Sequence, residues 1–397
     1  MKTKILGVTL FALTLATVAV YPSIRTPGSH VDPKALIIQS AVSAPVIDVV
    51  FVLDTTGSMS GLIHTAKEKI WSIASTMTSS QQTPNIRIGL VGFRDRGDEY
   101  VTRVIDLSDD LDSVYAALME FQADGGGDGP ESVNKALYDA VERMSWSQDS
   151  DAYQVVFLVG DAPPHMDYQD EKQYPEILAM AAQKGIVVNT IQCGEVAATL
   201  NSWQTIAGLG NGRFFQVEQA GSAVAYATPY DTKIAELSAR LDDTRLYYGS
   251  SEEKAKMQSK VEATEKLHRA ASPASLARRG VFNASAAGKK NLLGDNELVD
   301  AVASGRVDLD SLDKEALPAA LKPLPVVERR ALIAQVAGER RELEQQVQEL
   351  ARKRDQYLDE KVEADGGAED SLDHQLFEAV TAQAAKAGLE YSEGPSY

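Results

Sequence analysis

The chain has 397 residues but a single cysteine, Cys193, and five histidines. A disulfide framework within the chain and a thiolate-rich zinc cluster are thereby excluded, and the histidines are too scattered for a multi-histidine metal site. Positive charge is also scarce. Lysine and arginine total 39 against 57 aspartates and glutamates, a formal net charge of -18. Such a field repels phosphate backbones, so nucleic-acid partners are disfavoured, whereas hard cations are attracted. Beyond residue 20 no stretch is apolar and long enough to span a bilayer. The chain exceeds the length of one ordinary domain, and its 44% hydrophobic and 24% charged residues exclude wholesale disorder.

What is present begins with an address. Residues 1–4 are basic, and residues 5–20 carry no charge. As a helix that run would reach roughly 24 Å, short of a ~30 Å hydrocarbon core. Residues 1–20 therefore read as a secretory signal peptide, with cleavage near Ala19, or alternatively as a retained N-terminal membrane anchor. Either way the remainder is expected to be exported, to the periplasm or cell envelope. Pro22, Pro27, Pro33 and Pro45 mark an extended linker over 21–45.

Residues 46–225 alternate in character. Apolar, β-branched runs at 47–53, 86–93, 101–107, 155–159, 186–191 and 212–217 predict strands, most of them buried on both faces. Helical spacing occupies 58–77, 111–121, 132–144, 174–184 and 200–209. This order predicts an α/β fold, a doubly wound and mostly parallel sheet with helices on both faces. Ligands of such sheets bind beyond the carboxyl ends of the strands.

Two strand ends and one loop carry hard oxygen donors. The first strand runs into Asp54, Thr56 and Ser58 at alternate positions, with Gly57 between, and the following helix adds a positive N-terminus. The fourth strand ends in Gly160-Asp161. Between them lies Asp124-Gly-Gly-Gly-Asp128-Gly-Pro-Glu131, where three glycines permit close backbone approach. Carboxylates with hydroxyls, and no cysteine, describe a site for Mg²⁺, Mn²⁺ or Ca²⁺. The alternative role for Thr56 and Ser58 is helix N-capping.

Residues 46–225 resemble a von Willebrand factor type A domain with a metal-ion-dependent adhesion site. Asp54-x-Thr56-x-Ser58 is similar to that family's D-x-S-x-S motif, and Asp161 to its later aspartate. The resemblance implies a Rossmann-like sheet and a divalent cation, Mg²⁺ foremost. It implies Asp54, Thr56 and Ser58 as direct ligands, with Asp161 acting through water. Where the family usually presents a threonine this chain has Asp128, with Glu131 as the alternative. The resemblance also implies a protein-binding module rather than an enzyme, its open metal position filled by a partner's Asp or Glu. A metal-dependent hydrolase using Asp54, Asp161 and His165 is the competing reading, and a purely structural metal loop a third.

Around this site, the alternating charges of Arg94, Asp95, Arg96 and Asp98 read as local ion pairs, or else as a partner contact. Trp71, Trp146, Trp203 and Cys193 read as core. Residues 226–325 read as a helical region, with helices at 230–248, 252–271 and 297–303, and mixed loop and short helix over 272–290. Residues 326–397 hold one long charged helix to about 364 and an amphipathic helix over 372–389. In the long helix Val336, Leu343, Leu350 and Tyr357 keep a heptad. The companion column, Ile333, Arg340, Val347 and Arg354, is half charged, a partial coiled-coil seam that could instead pack on the preceding helices.

Overall fold

The computed structural model describes residues 44–61, 63, 73, 76, 77, 80, 83–127, 129–217, 226–364 and 372–391. The expected signal or anchor, most of the linker, Trp71 and Asp128 lie outside the described residues, as does much of the helix expected over 58–77. Six strands form one sheet: β1 Val46–Asp54, β2 Asn85–Phe93, β3 Thr102–Ser108, β4 Tyr153–Gly160, β5 Val187–Cys193 and β6 Asn211–Val217, in the order β3-β2-β1-β4-β5-β6. Every pairing is parallel except β2 with the edge strand β3.

Eleven α-helices have both ends among the described residues: α1 Leu111–Glu120, α2 Val133–Glu142, α3 Tyr174–Gln183, α4 Ala197–Leu209, α5 Asp231–Asp242, α6 Ser251–Ala270, α7 Pro273–Asn283, α8 Lys289–Leu293, α9 Leu298–Ala303, α10 Val326–Ala364 and α11 Leu372–Ala384. The continuous apolar run of β1 is explained by its place at the sheet centre, covered on both faces. Val49, Phe51 and Leu53 join a core with Val114, Tyr115 and Leu118 of α1 and with Leu376, Ala379 and Val380 of α11. Val50 and Val52 join a second core with Val133, Ala136 and Leu137 of α2, Ile177 of α3 and Trp203 of α4.

One layer thus comes from the far end of the chain. Gln383 of α11 accepts hydrogen bonds from Tyr153 Oη (2.7 Å) and Asn189 Nδ2 (3.1 Å), and its Nε2 donates to Asn189 Oδ1 at 2.8 Å. These polar contacts fix α11 across β4 and β5, where burial of an unpaired amide would be costly.

The helical region docks on α1 through buried charge. Arg279 of α7 donates to both oxygens of Asp112 (2.7 and 2.5 Å) and both of Asp242 (2.8 and 3.0 Å). Thr264 and Lys260 of α6 reach Asp112 and Asp110 respectively. Burial opposes the charge on Asp112, but Arg279 and Lys260 outweigh it and hold the carboxyl well below the usual range.

The same device sets the face of α10. Its inward side carries the arginine column: Ile333, Arg340, Val347 and Arg354 are buried, whereas of the other column only Leu343 is buried and Val336, Leu350 and Tyr357 are half-buried. Arg340 forks onto Glu297 (3.0 and 3.0 Å) and also reaches Thr244, while Arg354 Nε meets Asp231 Oδ1 at 3.0 Å. Each arginine finds a carboxylate waiting inside the same chain, so the heptad serves intramolecular packing.

Replacing Arg279 with Met would leave Asp112 and Asp242 buried without their main counter-charge. We expect a loss of about 3–5 kcal/mol in chemical denaturation near neutral pH. Because Asp112 titrates below its unfolded value, its stabilisation is present above that value and lost as pH falls. The deficit of the variant should therefore narrow in acid. A constant deficit would show that lost packing, not charge pairing, is what Arg279 supplies.

Candidate metal centre

The chain leaves β1 for one side of the sheet and later enters β4 on the other, so a crevice opens where the strand order reverses. Leu53 pairs with Val159, which sets Asp54 beside Gly160 and the following Asp161. Gly160 is required there: a Cβ on it would stand 2.8 Å from Asp54 Cβ.

The motif residues form one hydrogen-bonded chain. Thr56 N (2.9 Å) and Thr56 Oγ1 (2.6 Å) donate to Asp54 Oδ1, Thr56 Oγ1 lies 3.2 Å from Ser58 Oγ, and Ser58 Oγ donates to Asp161 Oδ1 at 3.0 Å. Four of the five sequence-derived site residues are therefore brought together, and Asp128 lies outside the described residues. Thr56 stands at the start of a short 3-10 turn, Gly57–Met59, but makes no side-chain cap bond there. The hydroxyls face the carboxylates.

Asp54 is 1% exposed, and its Oδ2 is buried without a hydrogen-bond partner among the described residues. Burial pushes its carboxyl up to about 7, with the Asp161 charge adding to the rise against hydrogen bonds from Thr56 and from the Asp161 backbone. A half-satisfied buried carboxylate next to a second carboxylate and two hydroxyls is a donor set that fits a hard divalent cation. Among the described residues no group of three or more His, Cys, Asp or Glu side chains is arranged to hold an ion.

The glycine loop docks on the motif backbone. Asp124 N donates to Thr55 O at 3.1 Å and Gly57 N to Gly125 O at 3.3 Å. Gly125 and Gly126 adopt φ of 77° and 85°, a region closed to most side chains, and Gly126 N donates to Asp98. A Cβ on Gly126 would lie 3.6 Å from Thr56 Cβ and 3.7 Å from Glu131 Oε1, so the buried Glu131 borders the hydroxyl motif. Its backbone bridges to Pro164, tying the glycine loop to the loop after Asp161.

Several supporting residues were not legible. Thr199 Oγ1 donates to Asp161 O at 2.8 Å and Trp203 Nε1 to Ala162 O at 3.0 Å, so α4 seats the Asp161 loop. Nothing in the sequence marks either beyond its helical position. Arg94, expected in a local ion pair, makes one with Glu99 of its own loop (3.6 Å), and it is buried with its Nε 3.2 Å from Thr55 O. Arg96 pairs with Asp170 and Glu171 of a distant loop rather than with its neighbours. The second strand thus delivers Arg94 against the Thr55 and Gln122 carbonyls and Arg96 against the loop after β4. His165 is 6% exposed, its Nδ1 2.8 Å from Asp167 and its Nε2 3.4 Å from Asp95. It stacks on Tyr168 at 4.1 Å, with Arg96 at 4.0 Å on that ring. The expected surface histidine is instead an inner strut of the rim. Cys193, Trp146 and Trp203 are buried as expected.

This is an open α/β sheet with a hydroxyl and carboxylate cluster at its switch point. Residues 48–224 match the von Willebrand factor A domain family, and this part of the chain is a von Willebrand factor A domain. Among curated proteins, the chain is 28% identical over 123 residues to the protein named "Putative ariadne-like RING finger protein R811" of Acanthamoeba polyphaga mimivirus. It is 29% identical over 121 residues to the alpha-protein kinase vwkA of Dictyostelium discoideum. Each match covers 30% of this chain but only 11% and 19% of those proteins. Among solved structures, proximal thread matrix protein 1 from the mussel byssus shares 16% identity at a TM-score of 0.33, over 44% of this chain and 42% of that one. An aerotolerance-related membrane protein from Bacteroides fragilis shares 17% at a TM-score of 0.33, over 45% and 94%.

The folded chain holds the Asp54 carboxyl at about 7 against an ordinary 3.8, so it binds an extra proton between those values. Metal-free stability should fall as pH rises across that window, by at most about 4 kcal/mol, with the cost complete above it. Asp54→Asn removes the charge. In EDTA the variant should melt above the parent at about pH 8 and close to it at about pH 4. A variant that melts below the parent at both pH values would show that Asp54 is already fully paired.

Proposed function

We propose that this domain binds a protein partner through a divalent cation, Mg²⁺ foremost, with Mn²⁺ or Ca²⁺ as substitutes. Asp54, Thr56 and Ser58 would hold the ion directly and Asp161 through water, with Asp128 or Glu131 completing the set. The observation that carries this reading is the buried Asp54 Oδ2 without a hydrogen-bond partner among the described residues, beside a chain of hydroxyls that ends on Asp161. A bound ion would supply the positive charge that lets a partner's Asp or Glu approach two carboxylates of this chain. The residues here do the rest. Thr56 and Ser58 orient Asp54 and Asp161 through their hydroxyls, Ser58 is exposed, and α4 fixes the Asp161 loop from below. Protein binding is what von Willebrand factor A domains generally do, and the domain is read as a binding module and not an enzyme. His165 lies between Asp95 and Asp167 and stacks on Tyr168, contacts that support reading it as a strut of the rim.

Export to the periplasm or cell envelope, by a signal peptide or an N-terminal anchor at 1–20, belongs to the same proposal. Its support is the charge-free run of residues 5–20. Among the described residues no helix is long and apolar enough to cross a membrane.

The test is a magnesium and manganese titration of the parent and of Asp54→Ala, followed by calorimetry and by tryptophan fluorescence, since Trp203 borders Gly160 as Asp54 does. One divalent site is expected in the parent and none in the variant. A parent that binds no divalent ion would end the metal reading. A partner retained from an envelope extract should be released by EDTA; retention in EDTA would remove the metal from the binding.

A further inference from the structure

Three loops frame the exposed Ser58: residues 94–100, 124–131 and 161–171. They contain no lysine, and both of their arginines are engaged. Arg94 is buried against the Thr55 and Gln122 carbonyls. Arg96 lies over Tyr168 and is held by Asp170 and Glu171. Glu99 meets Arg94, Asp170 meets Arg96 and Asp167 lies beside His165, yet these carboxylates still reach solvent: Glu99, Asp167 and Asp170 are 80%, 74% and 72% exposed, and Asp124 is also exposed, so the loops keep an excess of acid. The centre and its surroundings therefore ask for opposite things. Asp54 Oδ2, buried without a hydrogen-bond partner among the described residues, calls for a cation at the bottom. Once a cation is there, a carboxylate ligand is favoured at the centre, while the rim repels any further negative charge brought with it.

We propose that the partner presents a segment in which one Asp or Glu is flanked within a few residues by lysine or arginine, the carboxylate meeting the bound ion and the basic side chains meeting Glu99, Asp124, Asp167 and Asp170. This rests on the metal-dependent binding proposed above and adds the selection rule that an acidic segment is rejected. Met166, between His165 and Asp167, is 47% exposed and gives the aliphatic stems of such side chains an apolar surface. Exposed ion pairs are individually weak, so the rim acts by summing several of them and by steering the encounter.

The test uses the full chain in magnesium and three synthetic peptides, measured by calorimetry: Gly-Lys-Asp-Lys-Gly, Gly-Glu-Asp-Glu-Gly and Gly-Lys-Asn-Lys-Gly. The lysine-flanked aspartate is expected to bind about tenfold more tightly than the glutamate-flanked one at low salt. That preference should shrink at high salt and in the Glu99→Gln, Asp170→Asn double variant, whose magnesium affinity should stay within about twofold of the parent. Equal affinity for the first two peptides, or no binding of the lysine-flanked aspartate, overturns the selection rule while leaving the ion site to its own titration. Binding of the asparagine peptide as tightly as the aspartate peptide, unchanged by EDTA, overturns the carboxylate contact and with it the metal reading.

Discussion

A carboxylate that has left water must be matched, and Asp54 is matched on one oxygen only. Its Oδ1 takes two hydrogen bonds from Thr56, and its Oδ2 is buried beside Gly160. Much of the architecture around the sheet's switch point can be understood from that constraint. Gly160 has no side chain because one would strike Asp54. Gly125 and Gly126 take left-handed backbone so that their loop can lie on the motif. Thr199 and Trp203 hold the Asp161 loop from a helix that follows the next strand. The expense of an unmatched buried charge is tolerable where a ligand supplies the match, and this is the logic of the proposed cation.

Charge is distributed by the same principle elsewhere. In a chain with so few cations, several arginines lie inside: Arg94, Arg279, Arg340 and Arg354 are all buried. Arg279 joins α7 to α1 and α5, Arg340 joins α10 to Glu297 and Thr244, and Arg354 joins it to Asp231. Planar, always charged and able to fork onto carboxylates, arginine suits these positions better than lysine. The corollary is an outer surface left with acid in excess, and the rim of the candidate centre shares it. Helical region and von Willebrand factor A domain are thereby packed together, with α11 supplying a layer of the sheet's own core.

How much of this was legible depends on the range of the interaction. The six strands were readable because strands, above all the buried parallel ones, need apolar runs, and the structure moves their ends by a residue or two. Asp54, Thr56, Ser58 and Asp161 were readable because strand ends point to the crevice and the donor types are local. α7 was only half visible: its run of Pro273–Asn283 is rich in small residues and arginine, and its helix is justified by Arg279 meeting partners far away in sequence. The arginine column of α10 looked like a defect in a heptad, since its partners, Glu297 and Asp231, lie on other elements.

The sequence by itself determined the alternation of elements, the acidic balance, and the chemical kind of the candidate centre. Those depend on composition, periodicity and the few residues that follow each strand. Only the tertiary structure decided that Arg96 reaches Asp170 and Glu171, that His165 is a strut, and that residues 372–384 cover a sheet begun more than 300 positions earlier. Contacts of that range are chosen by which surfaces are left to bury once the local elements have formed, and no local pattern records that choice.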